Sequence, residues 1–174
     1  MKIVIIGYSG SGKSTLAKTL GIHYNIPVLH LDSVHFKAGW EERSDVESNE
    51  IVKFFMSQND SWIIDGNYRK IVPERFESAD QIIFLNYNRF FCLKSVLKRY
   101  KQNKGKTRID LAEDCIEKID LPFLWWVFYK GRTKERRNRL LGYVKNHKNS
   151  LIFTNRKQLF TYYSKHNIKN IKGE

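Results

Sequence analysis

The stretch Gly7-Tyr8-Ser9-Gly10-Ser11-Gly12-Lys13-Ser14 decides the fold of this chain. It reads G-x-x-x-x-G-K-S, which is the pattern of a phosphate-binding loop between a strand and a helix. The residues before it, 2–6, form a short apolar run typical of a buried parallel strand. The residues after it, about 13–24, suit a helix. The chain therefore begins with a strand, a glycine-rich loop and a helix.

Each residue type in this loop has a physical role. Glycines allow a tight turn whose backbone N–H groups can face phosphate oxygens, and the following helix adds the positive end of its dipole. Lys13 can reach the β- and γ-phosphates of a nucleoside triphosphate, and the Ser14 hydroxyl can ligate Mg²⁺. The predicted cofactors are therefore ATP and Mg²⁺. The predicted nucleotide-binding residues of the loop are Gly7, Ser9, Gly10, Ser11, Gly12, Lys13, Ser14 and Thr15.

Short apolar segments alternate with helical segments along the chain. The predicted strands span about residues 2–6, 26–30, 61–65, 80–85 and 150–153. The predicted helices span about 13–24, 44–58, 88–102, 132–146 and 156–166, with a loop over 31–43 and one or two helices within 111–129. Such alternation favours an open parallel sheet covered by helices on both faces. We predict an α/β three-layer sandwich with a five-stranded parallel sheet, in one domain over residues 1–174.

The composition is that of an ordinary folded domain, with 41% hydrophobic and 28% charged residues. No apolar stretch approaches the roughly 20 residues of a membrane span, and we expect a cytoplasmic protein with no membrane partner. Cys92 and Cys115 are isolated in the sequence and form no metal-binding pattern. We expect both to be buried packing residues.

The net charge of +13 is concentrated in two segments, residues 86–109 and 130–148. Together they hold sixteen of the 31 Lys and Arg residues but only one of the 18 Asp and Glu residues. Such segments attract polyanions, either nucleotide phosphates or nucleic acid. We predict a basic lid over about 101–139 in which Arg108, Arg132 and Arg136 contribute to catalysis, together with possible weak binding of nucleic acid.

Polar residues follow the predicted strands at the edge where a parallel sheet binds ligands. Asp65 is the expected Mg²⁺-binding acid. Asp32 is expected either to orient or deprotonate an acceptor hydroxyl or to join the Mg²⁺ ligands. The predicted acceptor-binding residues are Asp32, Trp40, Gly66 and Arg69, and the residues predicted near the nucleotide base are Asn155 and Arg156. His30 is either a partner of this site or a histidine satisfied at a strand end.

Two resemblances rest on these residues. Asp65-Gly66-x-x-Arg69 resembles the D-G-F-P-R stretch of adenylate kinases, in which the arginine binds the acceptor phosphate, although Asn67-Tyr68 replaces Phe-Pro. A wider pattern resembles the bacterial DNA topology modulation proteins, an adenylate-kinase-related group of ATP-binding proteins. That pattern comprises His30-Leu31-Asp32, Gly39-Trp40, Trp62-Ile63-Ile64-Asp65-Gly66-Asn67-Tyr68, Phe84-Leu85, Lys98-Arg99 and Gly105-Lys106-Thr107-Arg108-x-Asp110.

Taken together, these features predict a kinase that transfers the γ-phosphoryl group of ATP to a small-molecule or nucleotide acceptor. The alternative is an ATP-dependent, DNA-binding regulator of DNA topology. A GTPase switch is disfavoured, because the chain contains no N-K-x-D segment for recognition of the guanine base.

Overall fold

A computed structural model describes residues 1–105, Cys115 and 119–171. The strands are β1 (Lys2–Gly7), β2 (Val28–His30), β3 (Trp62–Asp65), β4 (Gln81–Leu85) and β5 (Ser150–Phe153). The helices are α1 (Lys13–Tyr24), α2 (Leu31–His35), α3 (Asp45–Gln58), α4 (Arg89–Asn103), α5 (Leu121–Phe128), α6 (Lys134–Lys145) and α7 (Arg156–Lys165). Short 3-10 turns cover Ala38–Trp40, Pro73–Arg75 and Lys130–Arg132.

The five strands form one parallel sheet in the order β2-β3-β1-β4-β5. The central strand β1 pairs Ile5 with Asp65 on one side and Gly7 with Leu85 on the other. Its apolar residues are almost completely buried, as expected for a strand covered on both faces. The predicted α/β fold with a five-stranded parallel sheet is confirmed.

The connections place the helices in layers on the two faces of the sheet. The crossover from β1 to β2 runs in one direction, whereas the crossovers from β2 to β3 and from β4 to β5 run in the other. Because such crossovers are right-handed, α1 lies on one face and the helices of the later crossovers lie on the opposite face. Helix α7 returns to the face of α1, where Tyr163 lies beside Thr19.

The strand order also defines the edge at which a ligand is expected. The chain leaves β1 toward β2, but it leaves the adjacent strand β4 toward β5 on the other side. In open α/β sheets, ligands bind at the carboxyl ends of the strands where the connections diverge in this way. The loop Gly7–Ser14 follows β1 at this point.

The helix boundaries largely follow the predicted ones, with one addition. The predicted loop over 31–43 contains helix α2 and a 3-10 turn. Within the segment 111–129, where one or two helices are predicted, α5 begins with Leu121-Pro122, and the Asp120 side chain accepts a hydrogen bond from the N–H of Phe123 at 2.7 Å. Proline is tolerated there, because first-turn N–H groups need no helical partner.

The sequence of α3 predicts one apolar side, made of Val46, Ile51, Phe54 and Phe55, but of these only Phe55 packs against the core. Val46 and Phe54 are 67% and 68% exposed. The buried stripe of α3 instead begins at Ser48 and Val52 and continues through half-buried Phe55 and Met56, a helical spacing of four, three and one. Apolar residues occur on both sides of this helix, so hydrophobicity alone did not identify the packed side.

The predicted burial of the two cysteines is confirmed. Trp62 is fully buried at the start of β3, and both cysteines are buried and free. Burial raises the pKa of the Cys92 thiol, which favours the neutral form. Within the described residues, no helix is both long enough and apolar enough to cross a membrane.

Candidate functional site

The glycine-rich loop is a tight turn held by its own backbone and by helix α4. The N–H of Ser11 donates to the carbonyl of Tyr8 at 3.0 Å. Gly10 has φ +76°, and a Cβ atom there would collide with the carbonyl oxygen of Cys92 and lie 2.8 Å from Val96 Cγ2. This position therefore requires glycine for both its backbone conformation and its contact with α4.

Helix α1 begins differently from the later helices of eight or more residues. Its N-cap is Gly12 with φ +90°, no side chain caps its first turn, and the turn contains no acidic residue. A Cβ at Gly12 would meet nothing within 4 Å. In α3, α4, α5, α6 and α7, by contrast, the N-cap side chain accepts a first-turn N–H. The first-turn N–H groups of α1 are therefore positioned for an external anion.

Two side chains of this motif point in different directions: that of Lys13 folds back over the loop, and that of Ser14 reaches the end of β3. The Lys13 ammonium donates to the carbonyl of Tyr8 at 3.3 Å, so its side chain folds back over the loop. The Ser14 hydroxyl donates to Asp65 Oδ2 at 3.1 Å. The structure thus brings together the predicted metal-binding serine and aspartate, which are 51 residues apart in the sequence.

His30, at the end of β2, also holds the Asp65 carboxylate. Asp65 ends β3, is 4% exposed, and its second carboxylate oxygen hydrogen-bonds Nδ1 of His30. A hydroxyl beside a carboxylate is a donor set that suits Mg²⁺, which binds few protein ligands together with phosphate oxygens and water. The described residues contain no cluster of three or more His, Cys, Asp or Glu that would form an all-protein metal site.

The predicted acceptor residue Asp32 lies in the first turn of α2. Its Oδ1 accepts a hydrogen bond from the Tyr68 hydroxyl at 2.8 Å. Burial is the main cause that raises the pKa of Tyr68, and the nearby Asp32 carboxylate raises it further. Tyr68 therefore remains a neutral hydrogen-bond donor to Asp32 at physiological pH.

Aromatic rings extend from Tyr68 along one side of Asp32. The ring of His35 lies 4.5 Å from that of Tyr68 and 4.7 Å from that of Phe36, and the ring of Phe36 lies 5.2 Å from that of half-buried Trp40. We call Tyr68, His35, Phe36 and Trp40 the aromatic row. It connects the predicted acceptor residue Trp40 to Asp32 through Phe36, His35 and Tyr68. The sequence did not single out His35 or Phe36.

The other two predicted acceptor residues differ in exposure. Gly66 is buried with φ +140°, and a Cβ atom there would lie 2.7 Å from Leu31 Cβ, so glycine permits a close approach of β3 to α2. Arg69 is exposed. Gly66 therefore has a packing role that the sequence did not predict, and Arg69 is open to solvent beside the segment that carries Tyr68.

Of the three predicted lid arginines, Arg132 contacts the phosphate loop. Its guanidinium carbon lies 3.8 Å from the centre of the Tyr8 ring, and Nη1 and Nε donate to the carbonyls of Tyr87 at 2.8 Å and Val127 at 3.2 Å. Burial lowers the pKa of Arg132. These contacts attach the turn between α5 and α6 to the loop.

The remaining arginines lie apart from the loop contacts or outside the described residues. Arg136 is exposed, and its guanidinium carbon lies 5.8 Å from the centre of a Trp126 ring. Arg108 lies outside the described residues. The segment predicted to be a basic lid also contains α5, which consists of apolar residues and buries Val127.

The residues predicted near the nucleotide base begin α7. Asn155 caps this helix, because its Oδ1 accepts the N–H of Gln158 at 3.0 Å. The Arg156 guanidinium carbon lies 5.2 Å from the centre of the Phe91 ring in α4. Both residues follow β5 at the same edge of the sheet as the phosphate loop.

Asn67 was not predicted as a site residue. Its Oδ1 accepts the N–H of Gly7 at 3.1 Å, and its Nδ2 donates to the carbonyl of Gly7 at 2.6 Å. Asn67 and Tyr68 directly follow Asp65-Gly66, so their position in that motif was the available signal. The positions of Asn67 and Tyr68 in the sequence could not show which residues their side chains contact.

Comparisons with known proteins agree with this architecture. No protein-family model matches the chain. No curated protein matches it either. Solved structures do: shikimate kinase from Bacteroides thetaiotaomicron is 19% identical with a TM-score of 0.51, and the similarity covers 96% of each chain.

Two further structures span almost the same length. TT1252 from Thermus thermophilus is 13% identical with a TM-score of 0.57, covering 99% of this chain and 98% of that one. A candidate kinase from Chloroflexus aurantiacus is 14% identical with a TM-score of 0.51, covering 97% and 98%. The fold is one that kinases use. At these identities the similarity establishes the fold and not the reaction.

Proposed function

We propose that this protein is a kinase that transfers the γ-phosphoryl group of ATP to a small-molecule or nucleotide acceptor. The observation that carries the proposal is the contact between Ser14 and Asp65 beside the uncapped start of α1. It joins the last residue of the phosphate-loop motif to a buried acid at the end of the neighbouring strand. The kinases that share the fold support this choice among phosphate-loop functions.

The loop residues would bind the triphosphate. The N–H groups of the glycine-rich turn and of the first turn of α1 supply hydrogen-bond donors that no side chain caps. Lys13 would exchange its contact with the Tyr8 carbonyl for the β- and γ-phosphates. Because these donors are fixed before the substrate arrives, little reorganisation opposes stabilisation of the transferring group.

Ser14 and Asp65 would hold Mg²⁺, which when bound neutralises charge on the phosphate oxygens. His30 keeps the Asp65 carboxylate in one orientation by binding its other oxygen. Partners of this kind commonly fix a ligating group and tune its affinity for metal.

Asp32 would orient or deprotonate the acceptor hydroxyl. Tyr68 holds its Oδ1, and its Oδ2 would face the acceptor. The acceptor would lie between Asp32, Trp40 and Arg69, with the aromatic row as an apolar wall. Arg69 offers a guanidinium for an anionic group of the acceptor.

Arg132 would place positive charge near the transferring group and help to exclude water. It already lies on the ring of Tyr8, the second residue of the loop motif. The basic lid over about 101–139 is likewise a proposal, and Arg136 and Arg108 are its other proposed catalytic residues. An arginine that stabilises phosphoryl transfer can contribute roughly 10³ to 10⁵ in rate.

The test is a screen of nucleosides, nucleotides, sugars and small acids for acceptor-dependent release of ADP. Lys13→Ala should abolish transfer without unfolding the protein. Lys18→Ala is a matched control, because Lys18 is an exposed residue one turn further along the same helix. Normal turnover by Lys13→Ala, or no stimulation of ADP release by any acceptor, would contradict the proposal.

A DNA-binding regulator remains the second candidate, and it is the function implied by the resemblance to DNA topology modulation proteins. Lys94, Lys98, Lys134 and Arg137 are exposed on α4 and α6, and no acidic side chain of the described residues forms an ion pair with them. DNA binding through such a surface should weaken steeply as salt increases. Binding no tighter than the nonspecific range of about 10⁻⁴ to 10⁻⁶ M at physiological salt would count against a regulatory role.

A further inference from the structure

One side chain holds the first residue of the phosphate loop from outside the loop. The Asn67 amide makes two hydrogen bonds to the same residue, accepting the N–H of Gly7 at 3.1 Å and donating to its carbonyl at 2.6 Å. A primary amide offers a donor and an acceptor side by side, as a peptide group does. Asn67 therefore acts toward Gly7 as a neighbouring strand would.

The position of this contact explains why a side chain is needed. On the β4 side, the pairing of β1 extends to Gly7 opposite Leu85. On the β3 side, the paired residues end at Ile5 and Asp65, and the N–H of Gly66 donates to the carbonyl of Ile5 at 3.1 Å. Gly7 is buried, so its polar groups need partners within the protein. Asn67 supplies both of them on the β3 side.

Asn67 is itself part of an anchored segment. Gly66 packs closely against Leu31, and the buried Arg75 guanidinium donates to the carbonyl of Tyr68 at 2.7 Å and to that of Val72 at 3.0 Å. The residue after Asn67 binds Asp32. Two successive side chains thus reach the two proposed reactant sites, one at the phosphate loop and the other at the acceptor carboxylate.

We propose that Asn67 is a positioning residue for the phosphate loop: by holding both backbone groups of Gly7, it sets the direction in which the loop leaves β1. This inference rests on the proposed function, because it concerns how the loop is prepared for a nucleotide. Because both polar atoms of the Asn67 amide bind Gly7, Asn67 would act through Gly7 rather than on a phosphate. Its removal should therefore weaken nucleotide binding by loosening the loop rather than by deleting a ligand contact.

The experiment compares Asn67→Leu with Asn59→Leu by calorimetric titration with Mg·ATP. Asn59 is a matched control, because its half-buried amide also donates to a backbone carbonyl, that of Phe55 at 2.7 Å, but at the far end of α3. We expect Asn67→Leu to weaken Mg·ATP binding about tenfold, the equivalent of one well-placed neutral hydrogen bond. Asn59→Leu should lower the unfolding temperature without changing the affinity.

Hydrogen exchange provides a readout that a general loss of stability would not reproduce. In Asn67→Leu, exchange should accelerate in residues 7–14 and remain unchanged in β4. Asn67→Ala makes the same test with less steric change if the leucine variant does not fold.

Wild-type affinity in the Asn67 variants, or an equal loss in Asn59→Leu, would overturn the inference and leave the proposed function standing. A wild-type protein that does not bind Mg·ATP would overturn both. Binding of Mg·ATP by wild type without transfer to any acceptor would overturn only the proposed kinase reaction.

Discussion

The two halves of the candidate site are built in different ways. The phosphate half consists mainly of backbone groups in one continuous motif, and its side-chain support, from Ser14 through Asp65 to His30, connects three adjacent strands or their loops. The acceptor half consists of side chains from α2, the Ala38–Trp40 turn and the segment after β3. The phosphate half has the pattern of a general triphosphate-binding loop, whereas the identity of the proposed acceptor would depend on the particular side chains of the second half.

Among the substitutions that separate the two halves, Asp32→Asn in the acceptor half is expected to have the largest effect on the rate of transfer. Removing the negative charge while keeping the shape should lower the rate of transfer by about 10² to 10⁴, the range usual for a general base. The affinity for Mg·ATP should not change, because the phosphate half is intact. Steady-state kinetics with an acceptor from the screen, together with calorimetric titration, checks both expectations. Weaker Mg·ATP binding in this variant would instead indicate that Asp32 is a metal ligand.

The phosphate half should be disrupted most by Gly10→Ala. The new methyl group would collide with the Cys92 carbonyl, and the loop would have to abandon φ +76°. We expect Mg·ATP binding to weaken by about 10² or more, consistent with the combined loss of several hydrogen bonds to the phosphates.

Gly142→Ala is the matched control for this substitution. Gly142 lies within α6, and a Cβ there would meet nothing within 4 Å. Alanine should stabilise this helix by about 0.5–1 kcal/mol. Calorimetric unfolding should therefore show a more stable Gly142→Ala protein. Titration should show an unchanged affinity for Mg·ATP in Gly142→Ala and a weakened affinity in Gly10→Ala. Equal affinity for Mg·ATP in both would show that the loop conformation is unimportant.

Tyr68→Phe should have a smaller effect, confined to the acceptor half. The substitution keeps the ring beside His35 and removes the hydroxyl that donates to Asp32. We expect transfer to slow by about tenfold, as for loss of one hydrogen bond to a charged group. The kcat with the identified acceptor is the measurement. An unchanged kcat would show that Asp32 needs no support from Tyr68.

The sequence predicted those parts of the molecule that depend on local signals. The loop motif, the five strands and the helix over about 44–58 are all local patterns. The structure contains these strands, and α3 begins with a capping box between Ser44 and Glu47. The sheet order, which brings β3 beside β1, explains why Ser14 and Asp65 meet.

Other features depend on tertiary contacts that no local pattern encodes. The packed face of α3 includes Ser48, a polar residue that hydrophobicity would place outside. The clamp of Asn67 on Gly7 and the contact of Arg132 with Tyr8 join residues 60 and 124 positions apart. Their chemistry could be listed from the sequence, but their partners required the fold.

The most direct test of the proposed phosphate site is the dependence of ATP binding on Mg²⁺ in wild type and in Asp65→Asn, measured by calorimetric titration with and without a chelator. We predict that wild type binds ATP more tightly with Mg²⁺ than with the chelator, and that Asp65→Asn loses most of this difference. The variant should retain its fold, which calorimetric unfolding can confirm. Equal dependence on Mg²⁺ in a folded Asp65→Asn variant, or no binding of ATP by wild type, would contradict the account.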